Sequence, residues 1–272
     1  MRAPPEREDL ITMTTNLADE IVVAIGSAAT DNPALAVGIE FARLTNLPLR
    51  LVHVACDGAT IDADALDEHL QTTAPDVPVS IVSTDADDVV GGIVGELTPR
   101  SLAILKSTNA SRWSGKSSVA EHVLDAFPGL IAMVGPEVEG STSFAGPVVI
   151  ALDGSTEAER ALPVARELAT AVGQEIVATR VVAVSASDDE RRSAAAYLEA
   201  TNATLPGSRP ALPDSNDPIS AILATATDEA AGLIVLSSHG DRASERATIS
   251  RTSMGLVHSA TVPVLLVGPE VA

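Results

Sequence analysis

The residues able to do chemistry gather just past two apolar runs. Asp153-Gly154-Ser155 follows VVIAL (148–152) and sets a carboxylate on a turn that leads into a helix. LIVLSS (233–238) is followed by HGDRASERATISRTS, rich in small and basic residues. His239 beside Ser238 is the pairing that a general base and a nucleophile would need. No third group is placed to orient the imidazole, so a loop histidine is the plainer reading. Ser114-Gly115-Lys116-Ser117-Ser118 ends like a phosphate-binding P-loop, but Ala110 stands where that motif requires its first glycine, and the motif belongs after the first strand of its unit. His53, His69, His122 and His258 lack metal-ligand spacing, and the single Cys56 has no basic cluster to activate it. Asp153 has a structural alternative as well, since either it or Ser155 could cap the helix that follows.

The elements that carry these residues occur twice. Val134-Gly135-Pro136-Glu137-Val138 recurs as Val267-Gly268-Pro269-Glu270-Val271, each time closing an apolar run. IVVAI (21–25) matches VVIAL (148–152) at an offset of 127 (148 against 21), which persists through Leu35 and Leu162, Glu40 and Glu167, and Val54 and Val181. LAILKS (102–107) aligns with LIVLSS at 131, so the second copy has gained residues between periodic segments, where surface loops tolerate them. The boundaries this implies are a first domain over 16–138, a small polar linker over 139–145 and a second domain over 146–272.

Within each copy, short β-branched runs alternate with helical periodicity. Pro33 to Thr45 and Glu157 to Val172 read as first helices ending at Asn46 and Gly173. LRLVHVA and IVATRVVA read as second strands, VPVSIVS (77–83) as a third, with a weaker counterpart at 209–212. DDVVGGIVGEL and DPISAILATA, then SVAEHVLDAF and TSMGLVHSA, read as helices, and the acidic residues at 87–88 and 188–190 as helix starts. The fold class is therefore α/β: two tandem open parallel five-stranded sheets with flanking helices. In such sheets ligands bind beyond the carboxyl ends of the strands, where the first and fourth diverge. That is where Asp153 and the Ser237 segment lie, and where the first copy has only Gly26-Ser27 and KSTNASRWSGKSSVA.

Composition narrows the function. The net charge of −20 repels phosphate backbones and anionic lipid, and 2% aromatic residues give no base-stacking platform, so neither nucleic acid nor membrane is an expected partner. No apolar run approaches the length of a membrane span, the first residues do not read as a signal peptide, and one cysteine fits a reducing, cytoplasmic setting.

The order of elements, Asp-Gly-Ser after the first strand, Ser-His-Gly after the fourth and the closing SRTSMGLVHSATVPVLLVGP together resemble the universal stress protein domain, here in tandem. The resemblance implies a non-catalytic stress-response protein whose domains pair through their last strands, hence an internal pseudo-dimer. It leaves open a homodimer of whole chains and a partner protein. The nucleotide-binding branch of that family carries Gly-x2-Gly-x9-Gly-Ser/Thr after the fourth strand, which in the second copy falls on Ser237, Gly240, Ser250 and Arg251. Carried over, the resemblance implies one ATP or AMP there: Asp153 on ribose, Val181 by the base, the Ser237–Gly240 loop and Ser250, Arg251 and Thr252 around the phosphates, with Ala151 and Leu236 completing the lining. Small residues would let backbone N–H groups close on phosphate, aided by a helix dipole. Arg242, Arg246 and Arg251 give this copy local positive charge. The first copy keeps only Val54 and Ser118 of the pattern and is expected to be a structural partner. A nucleotide-independent interaction module with filled pockets is the alternative, indicated by Arg251 reaching Asp153 or the phosphate site. ATP hydrolysis ranks third, since no metal-binding carboxylate cluster accompanies the site.

Overall fold

The computed structural model of the 272-residue chain describes residues 17–26, 29–56, 60–108, 118–139, 144–205, 207–238 and 250–271. The first half supplies strands β1 (Glu20–Ile25), β2 (Leu49–Ala55), β3 (Val79–Asp85), β4 (Ser101–Lys106) and β5 (Leu130–Val134). The second supplies β6 (Val148–Ala151), β7 (Ile176–Thr179), β8 (Arg209–Ala211), β9 (Leu233–Ser237) and β10 (Val264–Val267). Helices α1 (Pro33–Thr45), α2 (Ala63–Thr73), α3 (Val89–Gly95) and α4 (Val119–Ala126) intervene in the first half. Helices α5 (Thr156–Glu159), α6 (Ala161–Val172), α7 (Asp188–Thr204), α8 (Pro218–Asp228) and α9 (Arg251–Ser259) do so in the second.

Both halves have the same strand order, third-second-first-fourth-fifth, and every pair within a half is parallel. The two five-stranded sheets join edge to edge, because β5 and β10 pair antiparallel with Val264 opposite Met133 and Val267 opposite Leu130. One open ten-stranded sheet results. LIAMV and VLLV are buried at every position, as central strands covered on both faces must be.

The repeated Val-Gly-Pro acquires its reason at this joint. A β-carbon on Gly135 would overlap the Val257 carbonyl oxygen of the second half, and one on Gly268 would overlap the Pro128 carbonyl oxygen of the first. Each glycine thus lets one half's last strand pass the other half's backbone. Each face of the sheet then carries one apolar cluster that runs across both halves. Phe144, inside the stretch read as a polar linker, is buried, with its ring 4.3 Å from that of Phe41; residues 140–143 of that stretch lie outside the described residues.

Caps fix the helices as their residue types suggest. Asn32 precedes Pro33 and accepts from the Ala34 N–H, while Asn46 (φ 56°) and Gly173 (φ 67°) close α1 and α6 in the left-handed conformation. Asp88 caps α3, and Asp188, Asp189 and Glu190 form the first turn of α7. Two readings change. The helix expected over 157–172 is broken at Arg160, because Pro163 has no N–H and its ring would collide with the Glu159 carbonyl in a continuous helix; α6 therefore starts afresh with proline in its first turn. Helix α2 was not legible from periodicity, since only Leu66 and Leu70 of its residues are buried.

Candidate functional site

β6 lies between β7 and β9, and its carboxyl end is the switch point of the second half. Ile150 pairs with Ala178 on one side and Val235 on the other. Counting onward at the same pace on all three strands, Asp153, Val181 and Ser238 come to one level. Ala151 and Val181 pack against the apolar cluster that contains Leu236, with Ala211 and Ile219 beside them. Three residues expected to serve a nucleotide, Ala151, Val181 and Leu236, therefore share the carboxyl edge on one face.

The turn after β6 resolves the capping alternatives. Ser155 is the N-cap of α5, accepting from the Ala158 N–H at 3.1 Å. Asp153 Oδ1 in turn accepts from the Ser155 N–H at 2.9 Å and its hydroxyl at 2.6 Å. The carboxylate is exposed, and its Oδ2 accepts no hydrogen bond among the described residues. Gly154 has φ 89°, open to glycine at little cost, and a β-carbon there would stand 2.8 Å from the Arg180 guanidinium.

Arg180 is a residue that sequence reading missed. Its guanidinium lies over the Tyr197 ring, 4.9 Å from the centroid, and backs the turn that carries Asp153. Burial, and then the nearby Glu159 carboxylate, push the Tyr197 phenol above its ordinary range. The available signal was the offset of 127, which sets Arg180 against His53 of the first half. His53 is buried, with Nδ1 3.3 Å from the Ile25 carbonyl oxygen. Thr179 is a second such residue: its hydroxyl is fully buried without a hydrogen-bond partner, where the first half has Val52.

The residues expected around the phosphates fall at the end of β9 and the start of α9. Ser250 caps α9 by accepting from the Ser253 N–H at 3.0 Å, and its own N–H approaches the Ser238 carbonyl at 3.4 Å. Thr252 is half-buried and Arg251 exposed, at the turn whose first N–H groups have no partner within the helix. Arg251 forms no ion pair with Asp153 among the described residues, whose Oδ1 is held by Ser155. Ser237 is half-buried, and the buried Ser238 hydroxyl donates to the Val267 carbonyl at 3.2 Å. Gly240, His239, Arg242 and Arg246 lie outside the described residues, as do Arg112 and Lys116 of the first half. At the matching helix start of that half, Ser118 forms a capping box with Glu121, whose carboxylate accepts from the Ser118 N–H at 3.3 Å. The first half thus fills its helix N-terminus with its own anion, where the second has the neutral Ser253.

Among the described residues no group of three or more His, Cys, Asp or Glu could hold a metal ion, and no helix is long and apolar enough to cross a membrane. The universal stress protein family matches residues 145–268. A universal stress protein from Archaeoglobus fulgidus superposes with a TM-score of 0.67 at 18% identity, covering 92% of this chain and 98% of its own. A putative universal stress protein from Pseudomonas aeruginosa gives 0.65 at 16% identity, covering 92% and 93% respectively. No curated protein matches the sequence. Residues 145–268 thus form a universal stress protein domain, and the first half repeats its strand order.

Proposed function

We propose that the chain is a non-catalytic, cytoplasmic stress-response protein that binds one adenine nucleotide, ATP or AMP, in its second half, with the first half as its structural partner. The observation that carries this reading is that Asp153, Val181 and Ser238 each lie just past the carboxyl end of one of three adjacent parallel strands, with Ser250 at the start of α9 beside Ser238. Asp153 receives ribose hydroxyls at Oδ2. The base lies along Ala151, Val181 and Leu236. The first turn of α9 and the end of β9 at Ser237 and Ser238 face the phosphates, and Arg251 adds a charge-assisted contact on a protein that otherwise repels anions.

Calorimetric titration with ATP, AMP and cyclic AMP tests the reading. One site per chain is expected, weakened about tenfold or more by Asp153→Ala, that is by about 1.4 kcal/mol. Absence of heat at millimolar nucleotide refutes it. Ser237 and Ser250 stand where the binding pattern has glycine, so each brings a β-carbon toward the phosphates. That favours, as second reading, an interaction module that needs no nucleotide.

A further inference from the structure

The two ends of the ten-stranded sheet are built differently. At one end, β8 is three residues long and contains Pro210. The Arg180 N–H donates to the Ala211 carbonyl at 3.0 Å, so Arg209 and Ala211 turn their backbone groups toward β7 and Pro210 turns outward. The missing proline N–H therefore falls on the open side. Arg209 adds ion pairs to Glu175 at 3.3 Å and Glu229 at 2.7 Å. Shortness, proline and charge are what keep another strand from adding to an edge.

The opposite end has neither the shortness nor the proline, and its charge is confined to the last residue of the strand, Asp85. β3 is seven residues long, reads VSIVSTD, and pairs with β2 alone among the described residues. The Leu49 N–H donates to the Pro78 carbonyl at 2.9 Å, so alternation turns Ser80, Val82 and Thr84 toward β2. The N–H and C=O groups of Val79, Ile81, Ser83 and Asp85 are left facing outward. Along one face, Val77 and Val79 pack against the core, and Ile81 continues the stripe at 38% exposure. The carboxyl end runs into Asp85, Asp87 and Asp88, with Asp88 held as the cap of α3. At the amino end, Arg43 is committed to Asp76 at 2.9 Å and to the Thr73 carbonyl.

We propose that the edge of β3 receives an extended segment of another protein as an eleventh strand, with alternating apolar and basic side chains and a basic residue beside Asp85 and Asp87. Backbone pairing supplies the affinity, while the Val79–Ile81 stripe and the acidic end choose the side chains. A second copy of this chain is the poorer occupant. Two-fold pairing of β3 on β3 lays each acidic end against the other copy's Asp76 end, where Arg43 is already engaged, and each copy carries a net charge of −20. The proposal is independent of the nucleotide reading.

The test uses the full chain and a fluorescein-labelled peptide of about nine residues that alternates valine and lysine. Saturable binding is expected by anisotropy, with a loss of about tenfold or more for a peptide N-methylated on one edge, for one with glutamate in place of lysine, and for the Ser83→Pro chain. Hydrogen exchange on the unaltered chain is expected to show new protection at the amides of Val79, Ile81, Ser83 and Asp85, and it decides the matter if Ser83→Pro fails to fold. Lack of saturable binding, binding indifferent to Ser83→Pro or to N-methylation, or protection elsewhere overturns the proposal. So does self-association of the unaltered chain that Ser83→Pro abolishes, which would assign the edge to a second copy.

Discussion

The two halves place different residues at the same point of the same scaffold. Beyond its first strand the first half has Gly26, with His53 buried on the neighbouring strand and Glu121 closing the N-terminus of α4. The second half has an exposed Asp153, Arg180 behind it, and Ser250 and Ser253 at the start of α9. In the first arrangement the Glu121 carboxylate accepts from the Ser118 N–H with one oxygen and lies 3.4 Å from His258 Nε2 of the second half with the other. The second leaves a carboxylate oxygen and a helix N-terminus facing outward. Strand order, left-handed helix ends and the Val-Gly-Pro joint are common to both, so divergence is concentrated beyond the strands, where packing constrains side chains least.

The glycine joint common to both halves carries the largest expected effect. Gly135→Val and Gly268→Val should each destabilise the chain by about 3 kcal/mol or more, because the added side chain meets rigid backbone of the other half rather than a movable side chain. Denaturant titration of both variants checks it, and a large inequality would show that the joint is not shared evenly. A smaller effect sharpens a difference at the amino edge. Arg50 donates to Glu20 at 2.9 Å and to Glu96 at 2.8 Å, whereas the second half has Pro147 and Val177 in place of Glu20 and Arg50. The Arg50 hydrogen bond is the main cause holding the Glu20 carboxyl below its ordinary range, with Ser101 adding to it. The stability this gives is complete above the ordinary glutamate value of about 4.3 and is lost as pH falls through the depressed folded value. Glu20→Gln should cost about 1.5 kcal/mol at neutral pH and flatten the loss below about pH 4, read by denaturation across pH. The smallest effect concerns the site floor: Thr179→Val should be neutral or stabilise by up to about 1 kcal/mol, since it removes an unpaired buried hydroxyl, while Val52→Thr should destabilise by about 1 to 3 kcal/mol. Thermal melts of the two exchanges distinguish these signs.

Much of this was legible in the chain. The alternation of apolar runs and helical spacing gives the parallel sheets, and Asn46, Gly173 and Asp88 announce helix ends by type alone. Helix α2 was hidden because its apolar side is only two residues wide, and the break at Arg160 because a proline's effect depends on where the helix is allowed to begin. The carboxyl-edge location of Asp153, Val181 and Ser237 followed from topology. Which group would cap α5 did not, since Asp153 and Ser155 are both competent and the difference lies in backbone direction at Gly154.

By itself the sequence determined the repeat, the strand and helix types, the acidic character and the family resemblance, because periodicity, residue type and charge are local properties of the chain. Only the tertiary structure decided the antiparallel register of β5 on β10, that Arg180 backs Asp153, that Glu121 fills the N-terminus of α4, and that β3 rather than β8 presents open backbone groups. Each of those depends on which way a side chain or peptide unit faces once distant segments meet, and that direction is set by packing and hydrogen-bond register, not by residue identity.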